Sequence, residues 1–176
     1  GTTFVVTESH SDRIAFVDLT DPGSPVESEV VVGEAPWAVA VHEGSRRAYV
    51  STAVGLAVVD LDVRERIALV PYLAQPTVVE YGEERPGGTG VVVTPDGSAV
   101  YVAVTRAGLN SVVERFDTAA EAFTDSFEVG LRPFDVQISP AGDEVYTIDH
   151  DSFTLNTIRV PEHVVTSAEI APFGTE

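Results

Sequence analysis

The sequence predicts an all-β fold of repeated four-stranded antiparallel units, and three observations carry that prediction. The first is an internal repeat. Pro36 to Val50 (PWAVAVHEGSRRAYV), Gly88 to Val102 (GTGVVVTPDGSAVYV) and Pro133 to Thr147 (PFDVQISPAGDEVYT) align so that a Tyr falls thirteen residues after the first position of each. A fourth copy keeps only its end, with Phe4-Val5-Val6 read in the place of Tyr49-Val50-Ser51. The second observation is spacing: the intervals Phe4 to Tyr49, Tyr49 to Tyr101 and Tyr101 to Tyr146 run 45, 52 and 45 residues, the length of one β-propeller blade. The third is that no stretch shows the apolar stripe of an amphipathic helix, so almost no helix is assigned. About four blades are expected, over 1–32, 33–71, 88–130 and 131–170, with an enlarged loop at 72–87 and a next blade opening at 171–176.

Each copy reads as four strands. The first alternates, as in Val39 and Val41 or Val136 and Ile138, so that one face packs while the other meets a neighbour or a channel. Pro95-Asp96-Gly97 and Pro140-Ala141-Gly142 supply the fixed φ and the glycine of a tight reversal, and Glu43-Gly44-Ser45 plays the same part. The Tyr strand follows. Third strands are read at Ile14–Val17, Leu56–Val59, Ser111–Val113 and Leu155–Ile158, rich in apolar and β-branched residues. Outer strands are read at Glu29–Val32, Arg66–Val70, Ser126–Val129 and Val164–Ile170.

Composition narrows the function. The 176 residues carry 28 acidic and 10 basic side chains, a net charge of −18, and every basic residue is Arg. Such a field repels phosphate backbones and anionic headgroups, which argues against nucleic acid and membrane surfaces. A cation, a neutral small molecule or a basic protein patch stays open. The acidic, Lys-free composition suits either a high-salt organism or a GC-rich genome. Without Cys there is no disulfide, thiol nucleophile or Cys-based metal site, and without Lys no Schiff base. Apolar runs such as Val30-Val31-Val32 are far short of the roughly 18 residues that span a bilayer, so no membrane insertion is expected. The chain opens Gly1-Thr2-Thr3, which leaves two expectations: a leader was removed, or the chain is a piece of something longer. There is no Gly-x-Ser-x-Gly elbow, phosphate-binding Gly-Lys-Ser/Thr loop, dinucleotide fingerprint or complete calcium loop.

The Pro-x-x-Val-x-Val/Ile first strand, the Pro-Asp-Gly turn, and a Tyr-Val pair followed by Phe16-Val17-Asp18-Leu19 or Val58-Val59-Asp60-Leu61 resemble the YVTN-type β-propeller repeat. The resemblance covers essentially the whole chain. It departs at Gly88, where other copies have Pro, and lacks the usual Asn after Tyr-Val in every copy. It implies an extracytoplasmic setting and a ligand surface at one end of the central channel. That surface would receive Gly33-Glu34-Ala35-Pro36-Trp37, Gly130-Leu131-Arg132-Pro133-Phe134-Asp135, Glu8-Ser9-His10 and Asp149-His150-Asp151.

Candidate ligand-binding residues are therefore Glu34, Trp37, Tyr81, Arg132, Asp135 and Gln137. Trp37 reads two ways, as a ring that stacks on a ligand or, since Phe134 and Phe173 fill its place elsewhere, as blade packing. Asp135 and Gln137 would point to the channel if Val136 and Ile138 pack inward, and they stand where other copies have Ala38 and Ala40 or Gly90 and Val92. Buried hydrogen bonding is the alternative role for that pair. His10 and His150 sit in comparable connections three blades apart and could share a divalent metal with Asp149 or Asp151, or be ordinary turn residues. His42 before Glu43-Gly44 lacks the second His of a zincin motif and reads as a turn residue. The enlarged loop, crowding Tyr72, Glu80, Tyr81, Glu83, Glu84 and Arg85, would be a lid, a contact surface or a solvated loop.

An open arc of blades exposes unpaired edges and apolar faces, so completion by a second polypeptide, self-association or closure as a four-bladed ring is expected. The function expected is a module binding a ligand or protein partner at the channel mouth. The alternative is a propeller enzyme, lactonase-like or metal/redox, whose groups come from His10, His150, Glu34, Arg132 and Asp135.

Overall fold

The computed structural model describes residues 2–23, 25–74, 87–106 and 109–170. These residues form fifteen strands and no helix. In the first sheet β1 (Thr3–Glu8), β2 (Arg13–Asp18) and β3 (Val26–Val31) pair in chain order; the second holds β4 (Val39–His42), β5 (Arg47–Ser51), β6 (Gly55–Asp60) and β7 (Glu65–Pro71). The third holds β8 (Gly88–Val93), β9 (Ala99–Val104), β10 (Val112–Asp117) and β11 (Ala122–Glu128), and the fourth β12 (Pro133–Ile138), β13 (Glu144–Asp149), β14 (Thr154–Arg159) and β15 (Val164–Glu169). Every pairing is antiparallel, as short polar turns between consecutive strands require. The first strands β4, β8 and β12 lie side by side. The four sheets thus stack as propeller blades around a channel edge.

Three apolar seams hold the blades together. Ile14, Phe16, Val30 and Val32 of blade 1 meet Ala48, Val50, Ala57 and Val59 of blade 2. Tyr49, Leu56 and Val58 of blade 2 meet Val100, Val102, Val104 and Phe116 of blade 3, and Tyr101 and Val113 of blade 3 meet Val136, Val145 and Ile158 of blade 4. Successive side chains on a strand point to opposite faces, so each inner blade feeds two seams. Burying a Leu or Val side chain is worth about 1.5–3 kcal/mol, which makes the seams the main stabilising element.

The turns after the third strands are fixed by a carboxylate at a constant place. Asp18 accepts from Thr20 N, Asp60 from Asp62 N and Val63 N, and Asp117 from Ala119 N and Ala120 N. These are Asx turns. Arg159 takes that position in blade 4, paired with Glu144 as Asp60 is with Arg47.

Register corrects the reading of the first copy. Val5 pairs with Phe16 as Tyr49 pairs with Val58, so Val5, not Phe4, stands in the Tyr place. Val5 packs into the first seam, while Phe4 is turned to the other face and is 58% exposed. The third strand of blade 3 also starts and ends later than Ser111–Val113, running to Asp117 and bringing Phe116 into the core. The segment 171–176 lies outside the described residues.

Gly88 explains its own departure from Pro. A Cβ there would sit 2.0 Å from Tyr72 Oη. Tyr72, expected in the enlarged loop, is instead buried in the seam between blades 2 and 3, its hydroxyl donating to Gly55 O at 2.8 Å. Burial pushes this phenol well above its ordinary pKa.

Candidate site at the channel mouth

First strands begin, and second strands end, at one end of the stack. That end carries Pro36-Trp37, Pro133-Phe134, Thr7-Ser9 and His150-Asp151. The entry to blade 2 is tied to blade 1: Ser9 Oγ donates to Pro36 O at 2.7 Å and Thr7 Oγ1 to Trp37 O at 3.1 Å. Trp37 N donates to Ser51 O at 2.9 Å, so the indole is carried on a backbone held from two blades. Its ring meets Phe134 of blade 4 edge-on, with centroids 5.9 Å apart and planes at 88°. The pair is not core. Trp37 is 42% and Phe134 53% exposed, so of the two readings of Trp37, burial as blade packing is corrected to an exposed aromatic contact between blades 2 and 4. Large exposed rings that are held in place make a ready stacking surface.

Beside them lies a polar cluster on blade 4. Arg132 has φ 55°, and its carbonyl accepts from His150 N at 3.0 Å. The Arg132 guanidinium reaches His150 Nδ1 at 3.1 Å and Asp151 Oδ1 at 3.4 Å, while His150 Nδ1 lies 2.8 Å from Asp151 Oδ1. One nitrogen cannot serve both partners at once. A ring protonated on Nε2 accepts from Arg132 at Nδ1; a ring carrying the Nδ1 proton donates to Asp151. The two contacts therefore belong to alternative tautomers of the ring.

Beneath it, Asp149 is buried with its Oδ2 accepting from Gly130 N at 2.8 Å, Thr154 Oγ1 at 2.6 Å and Asn156 Nδ2 at 2.5 Å. These bonds position the Gly130–Arg132 entry of blade 4. Sequence reasoning placed Asp149 in a turn at the ligand surface and as a shared metal ligand; its fixing of this loop was signalled by no spacing.

Asp135 and Gln137 stand exposed on β12 of blade 4. Val136 is buried in the seam with blade 3, which turns Gln137 to the opposite face of β12, away from blade 3. Both residues line a shallow hollow of about 380 Å³ with Phe134, Tyr146, Ile148, His150 and Leu155 on that face. Asp135 Oδ2 accepts from Gln137 Nε2 at 2.9 Å and Oδ1 from Val136 N at 2.8 Å. The alternative of buried hydrogen bonding is half met: the pair bond each other but stand exposed. At Gly90 a Cβ would lie 2.4 Å from Val136 N, showing how tightly β8 abuts β12 at the channel edge.

Glu34 is exposed at the mouth, and Glu34 O accepts from Ala53 N at 2.8 Å. His10 is an exposed turn residue after β1. Among the described residues no group of three or more His, Asp or Glu is assembled to hold a metal, so His10 and His150 are not brought into one ligand set. Tyr81 and most of the enlarged loop lie outside the described residues. His42 caps its own turn, with Nδ1 accepting from Ser45 N at 3.1 Å.

One functional-looking group escaped sequence reasoning. Glu114 is fully buried in the seam between blades 2 and 3, where its carboxylate accepts from Leu73 N at 2.9 Å and Ala74 N at 2.5 Å. Burial raises its pKa, against the opposing effect of those two amides and Arg106. It anchors the end of blade 2 at the mouth.

Similar architecture occurs in solved structures. A chain of Kuenenia stuttgartiensis hydrazine synthase superposes with a TM-score of 0.80 at 24% identity, over 97% of this chain and 46% of that one. A protein of unknown function from Desulfotomaculum acetoxidans gives 0.75 at 13% identity, over 96% of this chain and 50% of the other. The chain is a β-propeller arc. It spans about half the length of either of those chains. No family model and no curated protein matches the sequence.

Proposed function

We propose that this propeller is a binding module that takes a small molecule or a protein partner at the channel mouth, in an extracytoplasmic setting. The observation that carries the reading is the exposed Trp37–Phe134 contact, which brings aromatic surface from two blades together beside Arg132, His150 and Asp151. A mouth of this composition suits a ligand with a flat apolar face and polar groups at its edge. The net charge of −18 favours neutral or cationic ligands over anions. The extracytoplasmic setting rests on the repeat resemblance alone.

Trp37 is the sole tryptophan, so its emission reports on the mouth and nowhere else. Titrating candidate ligands should shift or quench that emission saturably, and Phe134→Ala should weaken the response. A ligand that binds with no change in Trp37 emission would place the site elsewhere.

A hydrolytic reading has one observation in its favour, the His150 Nδ1 contact with Asp151 Oδ1 at 2.8 Å, which orients an imidazole for proton transfer. Turnover of a lactone or ester abolished by His150→Ala would select it over simple binding.

A further inference from the structure

The residue just before the outer strand has a left-handed backbone in three blades: Arg64 with φ 55°, Glu121 with φ 52° and His163 with φ 56°. Each ends the turn after a third strand, at the end of the stack opposite the mouth. In two of the three the side chain latches onto the preceding blade. Arg64 donates to Ser28 Oγ at 3.0 Å and to Glu27 Oε2 at 2.9 Å, its guanidinium carbon 4.9 Å from the centre of the Phe16 ring. His163 Nδ1 lies 3.6 Å from Asp125 Oδ1, and the imidazole meets Phe127 edge-on.

Glu121 breaks the pattern. Ala68 pairs with Val58 as Ser28 pairs with Phe16 and Asp125 with Arg115, so the middle seam has Ala68 where its neighbours have a latch partner. A methyl group offers a carboxylate nothing, and among the described residues the Glu121 carboxylate makes no hydrogen bond and no ion pair. Where the latch is missing, a hollow of about 420 Å³ opens between blades 2 and 3, lined by Glu121, Arg47, Ser45, Tyr49, Ala68 and Phe116. That volume is enough for a small ligand. Burial raises the pKa of the Tyr49 phenol, and Ser45, Arg47 and Glu121 also act on it, which places all three around one hydroxyl. Arg47 is already paired with Asp60, so the uncompensated charge in the hollow is that of Glu121.

We propose that this hollow binds a small organic cation, an ammonium or guanidinium compound, in the place that Arg64 and His163 hold in the neighbouring seams. Its charged head pairs with the Glu121 carboxylate and donates to the Tyr49 and Ser45 hydroxyls, while its carbon chain lies against Val58, Ile67 and Ala68. The net charge of −18 draws cations towards the protein. The site is built wholly from blades 2 and 3 and lies at the opposite end from Trp37, so it stands apart from ligand binding at the mouth.

Titration of the ¹⁵N-labelled chain with n-butylammonium chloride and with ethylguanidinium chloride, followed by amide shifts at constant ionic strength, tests this. Both cations should shift Ser45, Gly97, Thr118 and Glu121 saturably, and n-butanol, of the same size but neutral, should not. Glu121→Gln keeps the shape of the side chain and should weaken binding by at least about tenfold, as expected for loss of a charge-assisted bond. Glu121→Arg combined with Ala68→Asp rebuilds the latch of the neighbouring seams and should abolish binding while raising the melting temperature. The proposal is overturned if neither cation gives saturable shifts, if n-butanol binds as well, or if Glu121→Gln or the double variant binds as the parent does. Shifts confined to the surroundings of Trp37 would put the cation at the mouth and overturn it too.

Discussion

Tyr49 and Tyr146 stand at the same position of the repeat, and their surroundings could hardly differ more. Tyr49 is 3% exposed between blades 2 and 3, packed beside Leu56, Val58 and Phe116. Tyr146 lies on the free face of blade 4, its hydroxyl donating to Glu144 at 2.5 Å. Around Tyr49 the cross-strand neighbours are Ala40 and Val58; around Tyr146 they are Gln137 and Thr157. Both tyrosines stand on a second strand paired antiparallel with a first and a third strand, so strand pairing does not distinguish them. What differs is whether a second sheet covers the face, and the side chains follow that. Stability therefore resides in the seams and not in the blades taken singly.

The sharpest break of this comparison is a matched pair of substitutions. Leu56→Ala empties a fully buried site and should cost about 2–5 kcal/mol in urea unfolding. Leu155→Ala removes the same side chain from the equivalent place on the free face and should cost under about 1 kcal/mol. Equal costs would mean that the blade, not the seam, is the unit of stability.

Glu114 gives a smaller effect within the sealed seam. Glu114→Ala leaves Leu73 N and Ala74 N without their acceptor, and each orphaned amide costs about 1–3 kcal/mol unless water reaches it. Glu114→Gln keeps one acceptor oxygen and should lose less. Hydrogen exchange at Leu73 and Ala74 should rise in both variants, with Glu114→Ala the faster.

At the mouth the expected change is smaller still. Phe134→Ala removes one edge-on ring contact, worth about 0.5–1.5 kcal/mol, from an exposed pair. Melting should move little while Trp37 emission shifts to the red. A large loss of stability would return the pair to the packing role that the repeat of aromatics at Trp37 and Phe134 had suggested.

The repeat made the architecture legible because turns and Tyr strands recur at blade spacing, and periodicity survives whatever each blade faces. It misplaced Phe4 because the first copy lacks the turn that anchors register in the others, leaving three apolar residues that fit two alignments. The aromatics at Trp37 and Phe134 were visible as a pattern, but exposure is a property of neighbours and is not written in either residue. Asp135 and Gln137 were found by contrast with Ala38 and Ala40. Their direction followed from Val136 packing against blade 3, and which face of a strand meets its neighbour is settled by tertiary packing and not by the local residues. Glu114 gave no signal because its partners are backbone amides 41 and 40 residues away.

Acid separates the blades in the last and mildest way. Asp96, in the turn between β8 and β9, is held down at about 2 by the Thr94 hydroxyl and then by Ser98 N–H and Oγ–H. Asp18 is lowered chiefly by Thr20 N–H, Asp60 by Arg47 and Asp117 by Ala120 N–H. A carboxylate whose folded pKa lies below its unfolded value stabilises the fold at higher pH and loses that contribution as pH falls through the folded value. Stability should thus decline from about pH 4 towards pH 2 as these turns protonate. Glu114 acts in the opposite sense: its raised pKa means that protonation relieves a buried charge, so its contribution improves as pH falls through its own range. Blade 4 has Arg159 where blades 1, 2 and 3 have Asp18, Asp60 and Asp117, and an Arg does not titrate there. Hydrogen exchange across the acid range, corrected for intrinsic rates, should show the turns after β2, β6 and β10 loosening while the turn after β14 holds. Uniform loosening would show that the carboxylate turns are not what acid breaks, and that loss of the seams precedes them.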